Sequence, residues 1–159
     1  MKFQFFLWCN ALVFAVYFAG HMFDLFIILP NWRSGSIEDI TLFNSFFHNT
    51  NPIDFYRVIM PISTAFSVVC FAVFIRKGNP MLVLLSISLV MDILIDFVTL
   101  HYFTPISQYL FDNNTGVLDP LRVHQYVSTW IKADYLRLAL IMIGFYASLR
   151  ALHFSFLKR

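Results

Sequence analysis

Apolar residues run almost unbroken through four stretches of the chain, and polar residues collect between them. The first covers about residues 3–30, too long for the roughly 7 to 15 apolar residues of a secretory signal, and reads as a retained helix. The second, about 53–75, is closed by Arg76-Lys77-Gly78-Asn79-Pro80, whose charges and turn formers must leave the membrane. The third, about 81–103, ends at Thr104-Pro105 and is followed by the loop-like Phe111-Asp112-Asn113-Asn114-Thr115-Gly116. The fourth, about 121–156, has no Pro and only Gly144. Its first turns are polar, which places its membrane portion near 135–152 and lets its start project into water. A helix needs about 20 residues to cross the hydrocarbon core, and each stretch supplies them.

Between the first two stretches, Ile37, Ile40, Phe43 and Phe47 fall at helical spacing behind Ser36, a candidate N-cap with Asp39 three positions on. The pattern predicts an all-α fold: one transmembrane domain over residues 1–159, an integral membrane four-helix bundle with a short amphipathic helix in its first outer loop. That short helix either anchors the loop in the head-group region or covers the bundle mouth.

Composition narrows the class further. The 159 residues are 59% hydrophobic and 13% charged, with a mean hydropathy of +0.71, whereas a soluble domain carries about 25% charged residues. Two cysteines exclude a disulfide scaffold. Cys9 and Cys70 both fall within apolar spans and read as small apolar fillers. The expected partners are the lipid bilayer and a lipophilic small molecule, with a second copy of the chain left open and no nucleic acid. Six of the 11 basic residues (Lys2, Arg76, Lys77, Arg150, Lys158 and Arg159) sit at the end formed by both termini and the loop between spans two and three. No acid sits there, so this end is expected to be cytoplasmic. Asn113-Asn114-Thr115 then fits a glycosylation acceptor on the outer side.

An ionisable group in a hydrocarbon span costs a few kcal/mol on insertion scales, so each one asks for a reason. On span one, Asn10, Tyr17, His21 and Asp24 lie at offsets of 0, 7, 11 and 14 and form one stripe that must face the bundle interior. Asp24 is placed to orient His21, the pairing a general base uses. Span two opens with Asn51, Asp54, Tyr56 and Arg57. Span three carries Asp92 near mid-membrane and Asp96 one turn on, then His101 and Tyr102 at its outer end, with His101 roughly opposite the Asp face. An unpaired carboxylate at the depth of Asp92 is expected to take up a proton or to face a cation. Span four supplies Trp130, Lys132, Asp134 and Arg137, with Arg137 the natural partner of Asp134 or of a carboxylate on another helix.

If the spans pack as a bundle, His21, His101, Asp24, Asp54, Asp134 and Arg137 converge under the outer loops. On this reading His21, Asp24, His101 and Arg137 are the catalytic candidates. Tyr17, Asp54, Arg57, Asp96, Tyr102, Trp130 and Asp134 are the substrate-binding candidates. The bland alternative is a set of interhelical hydrogen bonds that fix packing, each worth about 0.6 kcal/mol in a membrane. Four of the 5 His residues fall near the outer end. His21, Asp24, His48, His101 and His124 therefore offer ligands for iron, copper or zinc, although no close pair except His21 with Asp24 has ligand spacing. The cofactor expectation is none or a transition metal. The 20 Phe, 7 Tyr and 3 Trp supply interfacial belts and packing, and suit a flat aromatic or isoprenoid guest.

From span three to span four the chain reads Tyr102-Phe103-Thr104-Pro105-Ile106-Ser107-Gln108-Tyr109-Leu110 and then Trp130-Ile131-Lys132-Ala133-Asp134-Tyr135-Leu136-Arg137. This resembles the small four-helix membrane proteins of the anthrone oxygenase-like family, in which a Pro-Ile-Asn-like turn after the third helix is followed by a Trp and then an Arg on the fourth. Ser107 stands where that family tends to have Asn. The resemblance implies oxidation of a lipophilic phenolic or polyketide-like substrate by dioxygen without a recognised metal or flavin. His21 or His101 would act as base, and Arg137, with Lys132, as anion stabiliser. Alternatives stay open: a metal-dependent version of that enzyme, a small proton-coupled carrier using Asp92 and Asp96, and a non-catalytic accessory subunit.

Overall fold

The computed structural model describes residues 2–75, 80–112 and 118–157. The basic loop at Arg76 and Lys77, the terminal Lys158 and Arg159 and the Asn113-Asn114-Thr115 acceptor lie outside the described residues. The described residues are helical and contain no strand: α1 (Lys2–Phe23), α2 (Ile37–Phe46), α3 (Pro52–Phe74), α4 (Pro80–Val98), α5 (Thr104–Leu110) and α6 (Pro120–Leu157). Four helical segments are long and apolar enough to cross a membrane: 4–31, α3, 80–110 and α6. The protein is a multi-pass membrane protein of the four-helix bundle class. Around the bundle α1 packs on α3, α3 on α4, α4 on α6 and α6 back on α1, so every helix has antiparallel neighbours. Phe5, Val16, Val58, Val83, Phe97 and Tyr146 are among the exposed apolar residues that face lipid.

Span one ends where expected, whereas span three passes beyond its expected boundary, and both carry the same device near a proline. Pro30 and Pro105 lack an N–H, and each is preceded by a π turn, Asp24–Ile28 in span one and Thr99–Phe103 in span three. The wider turn shifts the hydrogen-bond register, to Leu29 N–H donating to Asp24 C=O and Thr104 N–H to Thr99 C=O, and lets the helix run through the proline. Span three therefore does not stop at Thr104-Pro105 but continues to Leu110.

The short outer helix forms as its spacing predicts. The Ser36 hydroxyl accepts from Asp39 N–H at 3.1 Å, and Gly35, at φ +70°, makes the turn that leads into it. Ile40 and Phe43 are buried inward, whereas Leu42 and Phe46 are 67% and 75% exposed, so α2 both covers the bundle and presents an apolar outer face. Trp32 meets Phe43, Phe111 and Trp130 edge to face, as Phe111 meets Trp130, with ring centroids 5.4 to 5.9 Å apart, and Phe43 of α2 lies tilted against Phe111 at 5.0 Å. The start of α6 belongs to this layer rather than to water, because Val123, Val127 and Trp130 are all buried. Lower down, the bundle closes where Gly144 lies against span one. A Cβ there would meet the Phe14 ring at 2.6 Å.

Candidate functional site

Two π turns at one depth frame the site. Asp24 begins the first, and Thr99 to Phe103 forms the second across the bundle. π turns of this kind sit often at functional sites, since they re-aim side chains that a regular helix would point elsewhere. The stripe predicted on span one faces inward as expected: Asn10, Tyr17, His21 and Asp24 are all buried.

Arg137 is the centre of the site. Its guanidinium is 1% exposed and is held between two aromatic faces, with its carbon 4.1 Å from the Tyr56 centroid and 3.9 Å from that of Phe103. Nη2 donates to Oδ1 of Asp134 at 2.7 Å and lies 3.9 Å from Oδ2 of Asp24. His21 does not meet Asp24 directly, contrary to the pairing expected from their spacing. Tyr56 stands between them, its hydroxyl donating to Asp24 Oδ2 at 2.8 Å and lying 3.1 Å from His21 Nδ1. Span three contributes aromatic and hydroxyl groups here instead of its carboxylates.

The hydrogen-bond geometry is compatible with two arrangements of the protons. His21 Nε2 is 3.2 Å from the backbone carbonyl of Asp134, which can only accept, so Nε2 carries a proton. Tyr56 has one proton for two neighbours. When it donates to Asp24, Nδ1 of His21 must donate to the Tyr56 oxygen. Moving one proton along the chain reverses both bonds and gives neutral His21 with protonated Asp24. In either form His21, Asp24, Asp134 and Arg137 sum to zero charge, the state that a dry interior favours. Asp134 Oδ2 and Arg137 Nε have no hydrogen-bond partner among the described residues, so the site keeps polar capacity to spare.

A cavity of about 240 Å³ opens between α3 and span three and ends on Tyr56 and Arg137. Ile53, Met60, Pro61 and Leu100 make its apolar walls, and Phe103 and Trp130 close it. Thr99 also lines it, and the Thr99 hydroxyl has no hydrogen-bond partner among the described residues. Arg57 and Asp112 stand among its lining residues.

Several expected site residues are elsewhere. His101 and Tyr102 are exposed, with the His101 ring stacked on Phe97 at 5.0 Å on the lipid side. The π turn does not rotate them inward. His48 and His124 are exposed and apart from the site, so the four outer histidines form no common ligand set. Asp54 is half exposed and serves the start of α3: it accepts from Asn51 N–H at 3.0 Å and from Arg57 at 2.8 Å. Lys132 is exposed. Asp96 accepts from Thr64 at 2.9 Å and lies inward of the site. Tyr17 is fully buried one layer below, its ring 6.1 Å from that of Tyr56 and its hydroxyl without a hydrogen-bond partner among the described residues.

For a metal, the chain offers His21, Asp24 and Asp134, with one ligand atom from each lying within 4.8 Å of the others. The donor set fits poorly as it stands, because Arg137 already supplies the cation between these carboxylates and both nitrogens of His21 are engaged. A second polar node lies inward. Asp92 accepts from Ser63 at 2.8 Å and Ser67 at 2.5 Å. Asn10 bonds Ser67, Ser148 and Ser88, so all four spans meet there. Among the described residues no cation lies within ion-pair distance of Asp92.

Tyr56 is the site residue that charge counting passes over. Its signal was present: Tyr56, Ser63 and Ser67 stand at offsets of 0, 7 and 11, the spacing of the span-one stripe, and all three are buried. No family model matches the chain, nor does any curated protein or solved structure.

Proposed function

We propose that the protein is a membrane-embedded oxygenase-like enzyme that oxidises a lipophilic aromatic or isoprenoid-like substrate with dioxygen. The observation that carries this reading is that one cavity between α3 and span three, with Ile53, Met60, Pro61 and Leu100 in its walls, ends on both Arg137 and Tyr56. Arg137 supplies positive charge where an enolate or phenolate oxygen would lie, and Tyr56 connects that point to His21 and Asp24. A substrate CH2 made acidic by flanking aryl or carbonyl groups gives up a proton through Tyr56. The carbanion adds dioxygen, and the hydroperoxide collapses to a ketone and water. One O2 is consumed, one oxygen atom enters the substrate and the other leaves as water, with no net proton change. The spacing from Trp130 to Arg137 that resembles the anthrone oxygenase-like family supports the same chemistry, with Tyr56 in place of His101 beside the substrate.

The test uses purified protein in lipid nanodiscs with an anthrone, a long-chain phenol and a prenylated quinol as probes. Dioxygen uptake above the protein-free rate and ¹⁸O from ¹⁸O₂ in the product ketone are expected. Both should be lost in Tyr56→Phe and in Met60→Trp, which fills the cavity. No uptake above the protein-free rate with any probe overturns the reading.

A proton-coupled carrier is the second reading, favoured by the uncompensated Asp92. It expects accumulation in vesicles driven by a pH gradient and abolished by Asp92→Asn. For orientation we infer that both termini are cytoplasmic, from the basic residues at that end of the sequence. Labelling of single cysteines by an impermeant thiol reagent in intact cells tests this.

A further inference from the structure

Helix α3 has a cavity on each side, and Tyr56 forms part of the wall of both. The second cavity, about 370 Å³, lies between the outer half of α1 and the start of α3 and ends on Asp24 and Tyr56. Phe23, Ile28 and Phe55 make its apolar walls, and Thr50 and Asn51 from the outer loop form its polar rim. Gly20 shapes it, because a Cβ at that position would come within 2.3 Å of the Phe55 ring.

The four ionisable groups of the site differ in one respect. The Asp24 side chain is 12% exposed, whereas those of His21, Asp134 and Arg137 are 0 to 1% exposed. The least buried of the four, Asp24, is therefore one of the two residues hydrogen-bonded to Tyr56, and His21, the other, is fully buried. Substrate and water would reach the same phenol from opposite sides of one helix.

We propose that this second cavity is an aqueous portal through which the site exchanges protons, with Asp24 as its relay residue. The role rests on the reading that the cavity between α3 and span three holds substrate. Tyr56 passes its phenolic proton to Asp24 Oδ2 as its oxygen takes a proton from the substrate, and Asp24 releases that proton to water in the second cavity. In the first step the substrate C–H and the Tyr56 O–H break as new O–H bonds form on Tyr56 and Asp24; in the second the Asp24 O–H breaks as one forms on water. Because the oxidation consumes no net proton, the portal works in both directions. The base can then exchange protons with solvent without water having to cross the substrate cavity.

Carboxyl labelling of the wild-type chain in nanodiscs tests this without any known substrate. A water-soluble carbodiimide with a charged amine, mapped by mass spectrometry, is expected to label Asp24 at least about tenfold faster than the fully buried Asp92 and Asp134. Thr50→Trp, at an exposed rim position, should cut Asp24 labelling severalfold, while Gln108→Trp, at the other cavity, should leave it unchanged. Labelling of Asp24 no faster than that of Asp134, or blocked by Gln108→Trp and not by Thr50→Trp, overturns the portal. In the oxidation assay Thr50→Trp should lower kcat with KM unchanged and alter the solvent isotope effect; unchanged kcat in a Thr50→Trp protein with blocked labelling overturns the relay while the enzyme reading stands. The expected labelling pattern without oxidation of any probe would reject the enzyme and the substrate-linked role of Asp24 and leave only a solvent-accessible carboxylate.

Discussion

Arg137 and Asp134, three residues apart on α6, bind each other across 2.7 Å with both side chains 1% exposed. Breaking such a pair from one side strands a buried charge, which costs about 3 to 5 kcal/mol, whereas replacing both partners by apolar residues of similar size is often neutral or stabilising. Arg137→Leu and Asp134→Leu should each lower unfolding stability in micelles by that amount. The double variant should recover much of the loss and remain inactive. Equal losses that simply add would mean that the two charges are coupled to other groups more strongly than to each other.

Tyr56→Phe separates the chemistry from the packing. The ring that covers Arg137 at 4.1 Å stays, while the bonds to Asp24 and His21 go. Each lost hydrogen bond is worth about 1 kcal/mol of stability, and loss of a positioned proton carrier lowers a rate by about 10² to 10⁴. The variant should therefore fold and bind but turn over slowly. A Tyr56→Phe protein with wild-type turnover would remove Tyr56 from the reaction.

The architecture was legible because lipid imposes it. Four runs of about 20 apolar residues have one solution, and the Ser36, Asp39, Ile40, Phe43 pattern specified α2 down to its cap. The stripe of Asn10, Tyr17, His21 and Asp24 was legible for the same reason, since hydrocarbon excludes its members from the outer face. His101 could not be placed that way. It stands at the membrane edge, where an imidazole is tolerated facing outward, and lipid avoidance carries no information there. The π turns before Pro30 and Pro105 were hidden because a proline reads as an end to a helix unless the register upstream is known. Tyr56 was visible at the opening of span two, but it joins the site only when it is placed on one stripe with Ser63 and Ser67.

The Asp92 node distinguishes packing from transport. Asp92→Asn keeps an acceptor for Ser63 or Ser67, and it should change stability by less than about 1 kcal/mol. Asp92→Leu, which leaves the Ser63 hydroxyl without its acceptor and Ser67 still bonded to Asn10, should cost up to about 1.7 kcal/mol, the upper range for interhelical hydrogen bonds in membranes. Chemical unfolding in mixed micelles measures both. Dioxygen uptake should survive Asp92→Asn, and its disappearance in a stable variant would tie this node to the reaction.

Arg137 also sets the response of the site to metals. With the guanidinium present, a divalent ion at His21, Asp24 and Asp134 would have to share the carboxylates with a fixed cation. Arg137→Ala removes that competitor and leaves one nitrogen and two carboxylate ligands within 4.8 Å of one another, a spread compatible with zinc bonds of about 2.0 to 2.2 Å after a small contraction. Elemental analysis after zinc loading and desalting should find about one zinc per Arg137→Ala chain, lost again in Arg137→Ala combined with His21→Ala, and far less in wild type. Stoichiometric zinc, iron or copper retained by the wild-type chain and lost in His21→Ala would instead show that the metal outcompetes the guanidinium, and would make this a metal centre in which Arg137 acts from the side.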